Sequence, residues 1–79
     1  KENASPERTL LSEELQTKLF SAIDSLPDDL RAAITLREIE GLSYEEIAAV
    51  MECPVGTVRS RIFRAREAID KVIVPLIEN

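Results

Sequence analysis

The chain has 79 residues, and its 15 acidic and 10 basic side chains give a formal net charge of −5. This length suits one small domain with a single modest hydrophobic core. One cysteine, Cys53, and no histidine exclude an internal disulfide and argue strongly against a structural zinc site.

The sequence also lacks the features of several functional classes. It contains no glycine-rich phosphate loop, no metal-ligand cluster and no pair of groups suited to nucleophilic catalysis. We therefore expect no enzymatic activity, no cofactor and no metal. No segment is apolar enough to span a membrane and no signal peptide is visible, so we expect a cytoplasmic protein without membrane insertion.

Periodic apolar residues in the first half predict two helices. Residues 1–9 are polar and predict a tether, followed by one domain over 10–79. A first helix is expected near 10–26, capped by Thr9 or Ser12. Pro27 ends this helix and opens a second, near 27–40, which is apolar around most of its circumference and hence largely buried. Gly41 supplies a left-handed stop.

The second half has the pattern of a helix-turn-helix. Ser43 and Glu46 form a capping box that predicts a short helix over 43–51. A tight turn at Glu52 and Cys53 leads to a fourth helix over 54–74, with Pro75 marking its end. A short capped helix, a brief turn and a longer helix make this motif. The predicted fold is therefore an all-α, four-helix domain with a C-terminal helix-turn-helix and a long recognition helix.

The same periodicity predicts the hydrophobic core. Apolar residues at steps of three and four mark the buried side of each helix. The predicted core residues are Leu15, Leu19, Ile23, Leu30, Ile34, Ile47, Met51, Val58, Ile62 and Ile69.

Positive charge is concentrated in the fourth helix. Residues 54–66 contain four arginines and no acid, whereas residues 1–53 carry twelve acidic and five basic side chains. An ordinary solvated arginine surface is one explanation. The other is a recognition helix that enters the major groove of DNA, and the preceding helix-turn-helix pattern favours it. The charge asymmetry also suggests a second surface for a different partner.

Four segments together resemble region 4, the C-terminal domain, of bacterial RNA polymerase sigma factors. They are residues 26–31 (LPDDLR), 36–38 (LRE), 41–48 (GLSYEEIA) and 54–61 (PVGTVRSR). The resemblance is strongest to the extracytoplasmic-function group, of the sigma-E and AlgU type. It implies a domain that recognises the minus-35 promoter element, docks on the β-subunit flap of RNA polymerase, directs it to stress-type promoters and is controlled by an anti-sigma factor. One departure is Glu52, which stands near a turn position that is often glycine.

The outward side of the fourth helix supplies the candidate base-reading residues. They are Arg59, Ser60, Phe63 and Arg64. Arginine suits this role because it can donate two hydrogen bonds to guanine O6 and N7. Pairing with a neighbouring acid is the alternative for Arg59. For Phe63 the alternatives are contact with a thymine methyl or the sugar–phosphate wall, or covering the edge of the core.

Six further residues are candidates for contacts with the DNA backbone. They are Arg37, Ser43, Tyr44, Thr57, Arg61 and Arg66. Ser43 and Thr57 lie at helix N-termini, where backbone N–H groups favour phosphate. Tyr44 either donates its hydroxyl to phosphate or only packs its ring. For Arg61 and Arg66 an ion pair within the domain is the alternative, and Arg37 needs a partner because its helix is largely buried.

Two other functions fit parts of the pattern. A LuxR-type regulator that acts alone shares the capped helix, but such domains usually carry lysine and histidine where this chain has Arg59-Ser60-Arg61. A protein-docking module without a DNA role would use the acidic first half and exposed leucines such as Leu10 or Leu36. Binding to a GGAAC-like duplex, compared with a scrambled duplex, separates these functions.

Overall fold

Four α-helices make up the part of the chain that the structure describes. The structure is a computed structural model, and it describes the backbone of residues 6–78 and the side chains of residues 12–78. The helices are α1 (Pro6–Asp24), α2 (Asp28–Glu38), α3 (Tyr44–Met51) and α4 (Val55–Glu78), and this range contains no strand. The predicted all-α class is confirmed. None of these helices is both long and apolar enough to cross a membrane.

The first helix begins earlier than the sequence predicted. Residues 6–9, assigned to the tether, are helical, while residues 1–5 lie outside the described residues. Thr9 and Ser12 are inside α1, so the prediction that one of them caps it was wrong. Pro6 suits the first helical position because its fixed φ matches the helix and its missing N–H is not needed there.

The last helix continues beyond the predicted stop. We expected Pro75 to end it, but α4 passes through this proline to Glu78. Proline removes one backbone hydrogen bond and strains the preceding turn, which normally breaks a helix. Here the apolar stripe of α4 continues past it, and Ile73 and Ile77 lie beside Leu15 and Leu19 of α1. α1 and α4 pack against each other, but Ile77 is 65% exposed, so this packing supports the turn after Pro75 only in part.

The core lies where α2, α3 and α4 meet the end of α1. The fully or nearly fully buried side chains are Leu26, Ala33, Ile34, Ile47, Ala48, Val58, Ile62 and Ala65. Among the predicted core residues, Ile34, Ile47, Val58 and Ile62 are confirmed as buried. Ile23, Leu30, Met51 and Ile69 are partly buried and pack against them.

Size and position explain the differences from the predicted core. Leu15 and Leu19 are only half-buried, because they lie along the α1–α4 contact at a distance from the centre. Three alanines, which were not in the predicted set, are buried completely or almost so (Ala33, Ala48 and Ala65). Small side chains allow helices to approach closely, so the crossings are formed by alanines as much as by the large apolar residues.

Two residues with positive φ reverse the chain on either side of α3. Gly41, after α2, has a φ of 77°. Glu52, the C-cap of α3, has φ 56° and ψ 51°, and its backbone N–H donates to the carbonyl of Ala48. Glycine adopts this left-handed conformation freely, whereas other residues are strained there. Glu52 therefore performs, at some cost, the role that glycine often has in a helix-turn-helix.

Replacing Glu52 with glycine should stabilise the domain. Glycine relieves the strain of the left-handed backbone, but it also makes the unfolded chain more flexible, which opposes folding. The net effect should be a free energy of unfolding higher by about 0.5–1 kcal/mol. Thermal melting followed by circular dichroism measures the effect. Glu52→Gln is the matched control, since it removes the charge but keeps a side chain on the strained, left-handed backbone. Equal stabilisation by both variants would show that charge, not conformation, is responsible.

Candidate nucleic-acid interface

The contact between α3 and α4 determines which side of α4 faces outward. Ile47 and Val58 are fully buried and Ala48 is 9% exposed. Val58, Ile62 and Ala65 of α4 are buried where it packs on the other helices, so the side opposite to them faces solvent. The first turn of α4 contains no acidic residue, so no side chain of that turn compensates the partial positive charge of the helix N-terminus.

The structure brings the four predicted base-reading residues together on this outward side. Arg59, Ser60, Phe63 and Arg64 are all exposed. Phe63 is 67% exposed, so the alternative in which it covers the edge of the core is wrong. Among the described residues neither Arg59 nor Arg64 has an acidic partner within ion-pair distance. Their guanidinium groups are therefore available to a ligand.

Tyr44, the first residue of α3, lies between residues of α2 and α4. The guanidinium carbon of Arg37 is 4.9 Å from the centroid of the Tyr44 ring, and that of Arg59 is 5.6 Å from it. Arg37 also donates a hydrogen bond from Nη1 to the carbonyl of Leu42, at 2.8 Å. Arg37 thus has the partners that its partly buried position requires.

Arg61 and Arg66 form ion pairs with acids of α2. Arg61 Nε lies 3.6 Å from Oδ2 of Asp29, and Arg66 donates to Glu38. The hydrogen bond to Glu38 raises the pKa of Arg66 above its ordinary value, with a smaller contribution from Tyr44. Arg61 and Arg66 thus form the ion pairs within the domain that were the alternative in the sequence analysis. Phosphate contact by these two arginines stays a prediction.

The N-termini of α3 and α4 carry two of the predicted backbone-contact residues, Ser43 and Thr57. The Ser43 hydroxyl accepts from the N–H of Glu46 at 3.1 Å, and Oε1 of Glu46 accepts from the N–H of Ser43 at 2.8 Å. The predicted capping box is confirmed. The Ser43 O–H can still donate to a phosphate. Thr57 is half-buried in the first turn of α4, and its N–H donates to the carbonyl of Pro54 at 3.0 Å.

Sequence reasoning missed the acids that hold Arg61 and Arg66. In the sequence, Asp29 and Glu38 were noted only as members of the segments LPDDLR and LRE. Each carboxylate lies 28 or more residues from its arginine, so no local spacing rule connects them. The available signal was the excess of acid in the first half of the chain, which predicted a distinct surface but no pairing.

The fold and the exposed basic side of α4 define a helix-turn-helix domain of the kind that binds nucleic acid. A family model described as sigma-70, region 4 matches residues 16–69. Because this match covers more than half of the chain, the chain belongs to the sigma-70 region 4 family. The resemblance inferred from the four segments is thereby confirmed, and the family is not one of enzymes.

Individual relatives agree with the family. The chain is 70% identical over 77 residues to the ECF RNA polymerase sigma-E factor of Escherichia coli (strain K12) and equally to that of Salmonella typhi. It is 64% identical over 77 residues to the RNA polymerase sigma-H factor of Pseudomonas aeruginosa. These alignments cover 98% of this chain but 40% of each relative. The chain thus spans less than half the length of the proteins that it matches.

Removing the Ser43 hydroxyl should destabilise the domain, because α3 then loses its capping interaction. Ser43→Ala should lower the free energy of unfolding by about 1 kcal/mol. Urea unfolding followed by circular dichroism measures this change. Ser60→Ala is the matched control, since Ser60 is exposed within α4 and should leave stability nearly unchanged. A Ser43 variant as stable as the control would show that the capping box contributes nothing.

Proposed function

We propose that this chain is the promoter-recognition domain of a longer sigma factor. In this proposal α4 enters the major groove of the minus-35 element and directs RNA polymerase to stress-type promoters in the cytoplasm. The observation that carries the proposal is the exposed side of α4. There Arg59 and Arg64, which have no acidic partner among the described residues, stand beside Ser60 and Phe63. Family membership supports the same function.

Arg59 and Arg64 are the principal base-reading groups of the proposal. Among the described residues, no carboxylate pairs with either guanidinium. Bidentate hydrogen bonding to guanine requires such unpaired N–H donors. Ser60 offers a hydroxyl to a base edge. Phe63, being 67% exposed, offers an apolar surface to a thymine methyl or to the wall of the groove.

The backbone contacts come from the elements around α4. The N-termini of α3 and α4 favour phosphate through their helix dipoles and the N–H groups that are not already hydrogen-bonded, and Ser43 and Thr57 offer hydroxyl donors. Arg37 and the Tyr44 hydroxyl extend this surface on the side of α2. Arg61 and Arg66 contribute only if they leave Asp29 and Glu38. Such exposed ion pairs are worth about 0–1 kcal/mol each, so phosphate can compete for them.

The partners of the whole sigma factor are part of the same proposal. A domain of net charge −5 that binds DNA through a small basic surface should bind its promoter element only modestly. Docking on the β-subunit flap of RNA polymerase would hold the domain near DNA and raise its effective concentration. We propose an anti-sigma factor as the second protein partner, one that withholds the domain from polymerase.

The two alternative functions are less well supported. A LuxR-type regulator acting alone does not fit a chain that belongs to the sigma-70 region 4 family. The docking-module alternative required exposed leucines, but Leu36 is half-buried and packs against the core. The side chain of Leu10 lies outside the described residues.

Arg59→Ala should reduce specific DNA binding, because it removes a bidentate base contact. We expect a loss of about 1–3 kcal/mol on a GGAAC-like duplex and far less on a scrambled duplex. Fluorescence anisotropy with both duplexes measures the difference. Lys71→Ala is the matched control, since it removes a positive charge twelve residues further along α4. It should lower the affinity for both duplexes only slightly. Equal losses on the two duplexes would mean that Arg59 contacts phosphate instead.

Glu38→Gln should strengthen DNA binding, because it releases Arg66 to bind a phosphate. The slope of log affinity against log salt concentration should steepen by about 0.9 for one additional phosphate contact. The measurement is an anisotropy titration at four or more salt concentrations. Glu13→Gln makes the same charge change on the exposed surface of α1 and should leave the slope unaltered. If the two variants behave alike, the effect belongs to net charge and not to Arg66.

A further inference from the structure

We propose that Tyr44 is a positioning residue for Arg59. Its ring holds the Arg59 guanidinium in the orientation needed to contact a base, and it thereby contributes to sequence specificity without contacting a base itself. This inference rests on the proposed promoter-recognition function, in which Arg59 is one of the two principal base-reading groups. A hydroxyl contact to phosphate, the role considered for Tyr44 from the sequence, is a separate property of the same side chain.

The geometry places Tyr44 where it can act on Arg59. Tyr44 begins α3 immediately after its capped N-terminus, and its partly buried side chain packs against the hydrophobic core. The capping box and the core together restrain the ring. The Arg59 guanidinium carbon lies over this ring, 5.6 Å from the centroid, within the range of a cation–π interaction.

The kind of partner distinguishes Arg59 from its neighbours. Arg66 donates a hydrogen bond to Glu38 of α2. Arg61 forms an ion pair with Asp29 of α2, and its Nη1 donates to Sγ of Cys53 at 3.7 Å. A cation–π contact with a ring does not use the charge-paired hydrogen bonds that a carboxylate takes, so the N–H donors of Arg59 are not held by an acid. An aromatic platform can therefore orient an arginine without blocking its hydrogen bonds to guanine.

Arg37 restrains the same ring from α2. Its guanidinium lies 4.9 Å from the Tyr44 centroid and is anchored by the hydrogen bond to the Leu42 carbonyl. The two positive charges repel each other. The anchored Arg37 thus disfavours conformations in which Arg59 folds back toward α2, and it favours those in which Arg59 extends toward solvent.

The first test compares two substitutions by their effect on specificity. Specificity is the ratio of affinities for the GGAAC-like and scrambled duplexes, measured by anisotropy. Tyr44→Leu keeps apolar bulk but removes the aromatic face, and it should lower the ratio about two- to fivefold, the range expected for an exposed cation–π contact. Tyr44→Phe keeps the face and should retain the wild-type ratio, even if loss of the hydroxyl weakens binding to both duplexes.

A double-mutant cycle tests whether the effect acts through Arg59. In an Arg59→Ala background, Tyr44→Leu should cause no further loss of specificity, because the group that it positions is gone. In an Arg64→Ala background, which serves as the control, the two- to fivefold loss should persist. The proposal is overturned if the Phe and Leu variants lose specificity equally, or if the loss persists without Arg59.

A second measurement needs neither DNA nor a folded Leu variant. In the NMR spectrum of the wild-type chain, the ring current of Tyr44 should shift the Arg59 side-chain protons upfield from those of Arg64, another exposed arginine of α4. Coincident shifts would overturn the positioning role. Wild-type binding that shows no preference between the two duplexes would instead refute the proposed function, so the two failures are distinguishable.

Discussion

The packing of α3 on the first turns of α4 is the contact on which the proposed interface depends. Ile47 and Ala48 meet Val58 and Ile62 in the centre of the core, and the small side chain of Ala48 permits a close crossing. Once Val58 and Ile62 face inward, helical geometry directs Arg59 and Phe63 outward. A change in this crossing would move every candidate base-reading side chain at once. The positive φ at Glu52 is the local strain that the crossing requires.

Electrostatics divides the arginines of α4 into two groups. Arg61 and Arg66 face α2, where Asp29 and Glu38 neutralise them. Arg59 and Arg64 face solvent without an acidic partner among the described residues. An acidic domain can in this way retain a small surface suited to DNA. These partly exposed ion pairs contribute about 0–1 kcal/mol each, so the packing of α2 on α4 depends mainly on apolar contacts.

Tyr44 connects the two surfaces that would contact DNA. It stands at the N-terminus of α3, and its ring lies close to one arginine from α2 and one from α4. A restrained aromatic ring reduces the freedom of a long side chain before binding, so less conformational entropy remains to be lost when DNA is bound. In the proposed interface, the outward side of α4 presents the base-reading residues and Tyr44 restrains one of them.

Local patterns in the chain were sufficient for the number of helices, the capping box and the outward side of α4. Each depends on residues within one or two helical turns, where spacing and capping rules apply. The end of α4 was different, because the helix continues through Pro75, where local rules predict a stop. The ion pairs of Arg61 and Arg66 and the proximity of Tyr44 to Arg59 also arose from packing. They join residues on different helices, and the distances between such residues are set by how the helices cross, which no periodicity within a single helix encodes.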